Sequence, residues 1–241
     1  MFFAIMAREK VFKFKQFDLL NDKTAMKVGT DGVLLGAWCD VAGAKLVLDV
    51  GTGCGLIALM LAQRNAVAYI EAIDIDDDAV AEAKLNINNS PWNNRVETLR
   101  ADFNEYETTK RYDLIVSNPP FFDNGVEAPD ARRNKARHST SLSYEQLISK
   151  SKDLLVEDGV LAIITPMEAE NEIRRCAVKH HMCVKRLCEV VPIAGNPPKR
   201  LMWELVKTEV DMNKEVITIC SSDKTYTQQY VVLTRDFYLK M

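Results

Sequence analysis

The chain has 241 residues, of which 47% are hydrophobic and 27% charged, with a formal net charge of −3. That length suits a single α/β domain with a short N-terminal extension, and the charge excludes a strongly basic, nonspecific nucleic-acid binder. Any RNA contact must come from a local basic patch or from a pocket shaped for one exposed base.

From residue 46 a strand/helix alternation sets in. Leu46-Val47-Leu48-Asp49-Val50 is a short apolar run closed by glycines, as a buried parallel strand requires. The pattern then predicts a helix over 55–64, a strand over 69–75, and a helix over 76–89 opened by three acids. Strands follow over 95–100 and 112–117. The polar stretch 122–141 has no period, and a compact domain rarely carries so long a loop without a use for it. Helix over 144–156, strand over 160–165 and helix over 167–179 come next. Two strand-like runs, 182–191 and 201–208, flank Gly195-Asn196-Pro197-Pro198. A short strand over 216–220 and a helix over 226–239 end the chain. Such alternation predicts an α/β fold: a mostly parallel, doubly wound, seven-stranded sheet with an antiparallel edge hairpin and helices on both faces. Ligands of such sheets bind beyond the carboxyl ends of the strands, where strand order reverses.

The first strand-to-helix turn is Asp49-Val50-Gly51-Thr52-Gly53-Cys54-Gly55. Its G-x-G-x-G spacing departs from the G-x-G-x-x-G that cradles a dinucleotide pyrophosphate. It suits a ligand carboxylate at the helix N-terminus, with Asp49 available to an ammonium group. Those are the ends of the methionine part of S-adenosyl-L-methionine. Asp74 closes the second strand and can bind both ribose hydroxyls, whereas Asp76, Asp77 and Asp78 read as a helix cap. Asp102, after the third strand, can accept from the cofactor's adenine amino group or simply form a turn.

Ser117-Asn118-Pro119-Pro120-Phe121 ends the fourth strand. A planar amino nitrogen is a poor nucleophile because its lone pair is delocalised. It needs acceptors for its N–H bonds as it pyramidalises, not a strong base. The Asn118 side-chain carbonyl and the Pro119 carbonyl can be those acceptors, held by the rigid prolines Pro119 and Pro120. Phe121 offers a face on which the target base can stack.

Asn118-Pro119-Pro120-Phe121 resembles the (N/D)-P-P-(Y/F/W) motif of amino-methyltransferases. The stretches Phe12–Phe17, Met26–Trp38, Leu59–Gln63, Asn86–Trp92 and Phe237–Leu239 resemble the bacterial tRNA1(Val) (adenine-37-N6)-methyltransferase family, over nearly the whole chain. The resemblance implies a Rossmann-like class I methyltransferase using S-adenosyl-L-methionine, with product S-adenosyl-L-homocysteine, and a tRNA anticodon-loop substrate. It further implies that Thr30, Asp31 and Gly32 lie near the cofactor. Residues 1–40 are thus expected to be an extension packed near the cofactor, and 41–241 the methyltransferase domain. Phe121 stands where the family often has Tyr, and guanine-N2 enzymes share Asn-Pro-Pro-Phe.

Arg132, Arg133, Lys135 and Arg137 place four cations within six residues soon after the motif. They are candidate phosphate contacts. Pro198-Lys199-Arg200 and the pair Lys13 and Lys15 are weaker candidates. The alternative reactions are guanine-N2 methylation of rRNA or tRNA and N5-methylation of a protein glutamine; a silent RNA-binding module is a fourth reading. Six scattered cysteines and three histidines lack zinc spacing, so no metal is expected. The apolar start, seven residues broken by Arg8-Glu9-Lys10, is too short for a signal peptide or membrane span. A cytoplasmic protein, for which the sequence requires no oligomer, is expected.

Overall fold

The computed structural model describes residues 11–24, 27–120 and 142–241. A small antiparallel hairpin, β1 (Val11–Lys13) with β2 (Asp18–Leu20), precedes α1 (Thr30–Trp38). The alternation then runs β3 (Leu46–Val50), α2 (Leu56–Arg64), β4 (Tyr69–Asp74), α3 (Asp77–Asn88), β5 (Val96–Arg100) and β6 (Tyr112–Ser117). After it come α4 (Tyr144–Leu154), β7 (Leu155–Pro166), a 3-10 turn at Met167–Ala169 and α5 (Glu170–Lys179). β8 (Cys183–Ile193), β9 (Arg200–Val206), β10 (Asn213–Cys220) and α6 (Gln228–Thr234) complete it.

The sheet order is β10-β8-β9-β7-β6-β3-β4-β5. Only β9 runs antiparallel to its neighbours; the other pairings in this sheet are parallel. The expected α/β class and mostly parallel sheet are present, with eight strands rather than seven. The β8–β9 hairpin lies inside the edge, because β10 pairs in parallel with β8 from Asn213 to Cys220. That pairing satisfies backbone groups β8 would otherwise leave open.

Alternate residues of the central strands point to opposite layers. Val47, Leu114, Val116, Ala162 and Ile164 pack with α1, α2, α3 and α6. Leu48, Val50, Ile115, Leu161 and Ile163 pack with α4 and α5. Asp49 follows the Val47 side and faces the start of α2. Trp38 and Trp203 are core residues, and the Trp203 indole donates to the Thr165 hydroxyl at 3.0 Å.

Periodicity does not reveal α1. Every residue from Gly32 to Trp38 is buried, so no polar stripe marks a face. Gly32 and Gly36, one turn apart, let its backbone lie on α2. A Cβ at Gly36 would stand 2.9 Å from the Met60 sulfur. Among the described residues, no helix is long and apolar enough to cross a membrane.

Candidate active site

β3 lies between β4 and β6, and the chain proceeds outward in opposite directions from it. Strand order therefore reverses between β3 and β6, and a crevice is expected at their carboxyl ends. Val50 and Ser117 are paired across these strands, and the Ser117 hydroxyl donates to the Val50 carbonyl at 2.8 Å. The next residue on one strand is Gly51, and on the other Asn118. The glycine turn and the Asn-Pro-Pro segment thus leave the sheet side by side.

The turn is held from below. Gly51 and Thr52 both donate backbone N–H groups to the Ile73 carbonyl, at 2.9 and 3.0 Å. Gly53 donates its N–H to the Asp74 carboxylate at 2.9 Å. Gly51, Gly53 and Gly55 have φ of 71°, 58° and 86°, in the left-handed region that a side chain disfavours. Gly55 is pressed on α3, where an added Cβ would lie 3.5 Å from the Ala83 Cβ. At Gly51 and Gly53 an added Cβ would meet no described atom within 4 Å, so both border open space.

Asp49 is fully buried. Its Oδ2 accepts from the Thr52 hydroxyl at 2.6 Å and from the Ala58 N–H at 3.2 Å. Its Oδ1, also buried, has no hydrogen-bond partner among the described residues. Burial pushes the carboxyl up to about 7, against the lowering effect of those two bonds. A cation beside Oδ1 would remove the penalty.

Asp74 ends β4 with a half-buried carboxylate. Its Oδ2 accepts from Gly53, and its Oδ1 accepts from the Asp76 N–H at 3.0 Å. Burial raises its pKa, partly offset by these amide bonds. The helix cap is Asp76, whose side chain accepts from Asp78 and Ala79. Asp74 therefore braces the glycine turn and does not cap α3. Asp102 forms the turn its residue type favours, accepting from the Asn104 N–H at 2.9 Å. The Ala101 N–H bonds the Asp74 carbonyl at 2.9 Å, which brings the Asp102 turn against the end of β4.

The first turn of α1 stands over this edge. A Cβ on Gly32 would lie 3.0 Å from a Leu56 methyl, 3.9 Å from the Asn118 side-chain nitrogen and 4.0 Å from Ile57. Thr30 is exposed at the helix start. Asp31 is engaged by Arg200, whose Nε donates to Oδ2 at 2.8 Å. Asn118 is half-buried, Pro119 buried and Pro120 exposed. Phe121, Arg132, Arg133, Lys135 and Arg137 lie outside the described residues. Lys13 is paired with Asp18, and Lys15 donates to the Arg235 carbonyl at 2.6 Å.

Two groups escape sequence reasoning here, and for a third, the candidate phosphate contact Arg200, its partner does. Thr52 and Ser117 hold the two turns, yet each is an ordinary residue in its local pattern. Arg200 is 169 residues from Asp31, and no local signal pairs them.

The methyltransferase small domain family matches residues 29–180. A tRNA1(Val) (adenine(37)-N6)-methyltransferase of Bacteroides thetaiotaomicron is 42% identical over 231 residues, covering 95% of this chain and 98% of its own. The enzyme of the same name from Parabacteroides distasonis is 44% identical over 233 residues, with 95% and 98% covered. Among solved structures, a predicted O-methyltransferase from Agrobacterium tumefaciens superimposes with a TM-score of 0.68 at 15% identity, over 86% of this chain and 96% of that one. At that identity the likeness speaks for the fold alone. With its glycine turn and Asn-Pro-Pro segment joined at the strand reversal, the chain belongs to the methyltransferase small domain family and to the family of tRNA1(Val) (adenine(37)-N6)-methyltransferases.

Proposed function

We propose that the protein transfers a methyl group from S-adenosyl-L-methionine to the exocyclic N6 of adenine 37 in the anticodon loop of tRNA1(Val), acting in the cytoplasm and leaving S-adenosyl-L-homocysteine. The observation that carries the reading is the Val50–Ser117 pairing, from which Gly51 and Asn118 emerge as neighbours. The names of the full-length relatives supply the base and the tRNA.

The residues present fit the cofactor. The unpartnered Oδ1 of Asp49 suits its ammonium group, and the open side of Gly51 and Gly53 admits a ligand against the backbone. The turn ending at Gly55 would receive the carboxylate. Asp74 would take the ribose hydroxyls with the lone pairs left beside its two amide bonds, and Asp102 the adenine amino group with its other oxygen. Thr30, Asp31 and Gly32 would border the same ligand, and so we assign residues 1–40 as an extension serving the catalytic domain 41–241. When bound, S-adenosyl-L-methionine supplies an electrophilic methyl group on a sulfonium.

Asn118 and Pro119 offer carbonyl oxygens to the two N–H bonds of the target amino group. They hold its lone pair toward the methyl carbon, at roughly 3–3.5 Å in a productive pose. The nitrogen keeps its protons while the new bond forms and the bond to the sulfonium breaks, leaving a neutral thioether. Now positively charged and acidic, it then releases one proton to solvent, so no strong base is required. Phe121 is assigned to stacking on the base. Arg132, Arg133, Lys135 and Arg137 are assigned to tRNA phosphates, on their closeness in sequence to Asn118.

The test is incubation with methyl-labelled cofactor and total tRNA, followed by nucleoside analysis. Label in N6-methyladenosine is expected. Label in N2-methylguanosine or in protein glutamine overturns the reading.

A further inference from the structure

α3 carries two buried polar side chains one turn apart, Glu82 and Asn86, that the mechanism above does not use. The Glu82 carboxylate collects three successive backbone N–H groups of the extension: Asp22 at 2.7 Å and Lys23 at 2.9 Å on Oε1, and Thr24 at 3.1 Å on Oε2. Asn86 pairs with Leu20 twice, accepting from its N–H and donating to its carbonyl, both at 2.8 Å. The same amide nitrogen donates to the Cys54 carbonyl, between Gly53 and Gly55, at 2.8 Å. One side chain thus holds both the extension and the glycine turn.

The chain of contacts continues to the reacting side. Lys27 reaches back to the Asp22 carbonyl at 2.7 Å. Two residues later Gly29 caps α1, whose Gly32 abuts Asn118 and Leu56. Amides bonded to a buried carboxylate are weakened together when it is neutralised, because the three donors are then short of an acceptor.

We propose that Glu82 and Asn86 are positioning residues that couple seating of the cofactor in the glycine turn to docking of the 20–24 segment, and through it to placement of α1 beside Asn118. The proposal rests on the assignment of the glycine turn to S-adenosyl-L-methionine. Filling the turn fixes the Cys54 carbonyl, Asn86 transmits that order to Leu20, and Glu82 keeps the following three residues in place.

S-adenosyl-L-homocysteine is the probe, and hydrogen exchange at Asp22, Lys23 and Thr24 the readout, on the full chain. In the wild type the probe should slow exchange at these amides. In Asn86→Leu it should bind about tenfold more weakly, and at saturation leave their exchange unchanged. Glu82→Gln, which keeps the Cys54 bond, serves if Asn86→Leu does not fold. The Gln oxygen can still accept from Asp22 and Lys23, so Thr24 should lose most protection and respond least to the probe, with only a small loss of affinity. A merely structural role would destabilise the protein but leave the probe's protection of 22–24 intact, and that result overturns the coupling. Absence of probe binding to the wild type in calorimetry overturns the cofactor assignment itself, and the coupling with it.

Discussion

Asp31, in the first turn of α1, and Arg200, at the start of β9, form an ion pair at 2.8 Å across 169 residues of sequence. Both side chains are only partly exposed, at 24% and 32%, so solvent screens the pair incompletely. The pair pins the helix that brings Gly32 to Asn118 onto the sheet beside β7. A double-mutant cycle on Asp31→Asn and Arg200→Gln should give a coupling of about 1 kcal/mol in stability. Arg200→Gln should also slow single-turnover methylation by roughly tenfold, through misplacement of α1. Because its charge is engaged by Asp31, the salt dependence of tRNA affinity should not change. A flatter salt slope would instead make Arg200 a phosphate contact.

Asn118→Ala should lower turnover by about a hundredfold or more, with cofactor affinity nearly unchanged. Removing a transition-state acceptor from a preorganised site costs on the order of 3 kcal/mol. Single-turnover rates and calorimetry separate the two effects. Retention of a third of the wild-type rate would remove Asn118 from the mechanism.

If the cofactor's ammonium group sits on Asp49 as proposed, burial of this carboxyl should make cofactor binding pH-dependent. Its folded pKa of about 7 lies above the ordinary 3.8, because burial penalises the charged form. Between those values the unfolded chain has released a proton that the folded chain keeps. Stability from this group is therefore fully present below about pH 4 and is lost as pH rises toward 7. A ligand ammonium at Oδ1 favours the ionised form, so binding at pH 6 should release a proton, and affinity should rise from pH 5 to 7. Calorimetry in buffers of different ionisation enthalpy measures the release. Asp49→Asn should abolish it, and an unchanged release in that variant would place the proton elsewhere.

Asp74→Ala should weaken cofactor binding by roughly ten- to a hundredfold, the equivalent of about 1.5–3 kcal/mol for charge-assisted bonds. Asp74→Asn keeps one oxygen to accept from Gly53 and should lose less. Equal affinity for all three proteins would confine Asp74 to bracing the turn.

The alternating strands and helices were legible because apolar runs, acidic helix starts and turn residues mark them, although β7 begins five residues and β10 three residues before the predicted strands. The glycine turn and Asn118-Pro119-Pro120 were legible as segments because each is contiguous in sequence, and the structure sets them side by side. α1 was not, since its buried run has no polar stripe and, unlike the equally buried α2, follows no strand and glycine turn that announces a helix. The role of Asp74 as acceptor for Gly53 depends on how the turn folds back over β4. Glu82 and Asn86 left a trace: two polar residues, four apart, on the face that Ala79, Ala83 and Ile87 bury. Their partners in the 20–24 segment lie about 60 residues away, beyond the reach of local reasoning. The edge position of β10 was hidden for a similar reason, because a parallel partner need not be adjacent in sequence.

Replacing Arg132, Arg133, Lys135 and Arg137 together with Ala should weaken tRNA binding and leave cofactor affinity intact. For every phosphate that a cation no longer neutralises, the slope of log affinity against log salt should flatten by somewhat under one unit. Coinciding slopes for the two proteins would move the RNA path toward Lys13, Lys15 and Lys199.

The most direct measurement uses two transcripts of tRNA1(Val), one with A37 and one with G37, incubated with methyl-labelled S-adenosyl-L-methionine and digested to nucleosides. The wild-type protein should label the A37 transcript in N6-methyladenosine and leave the G37 transcript unlabelled. Label persisting on the G37 transcript, or recovered as N2-methylguanosine from either, would contradict adenine-N6 transfer at that position.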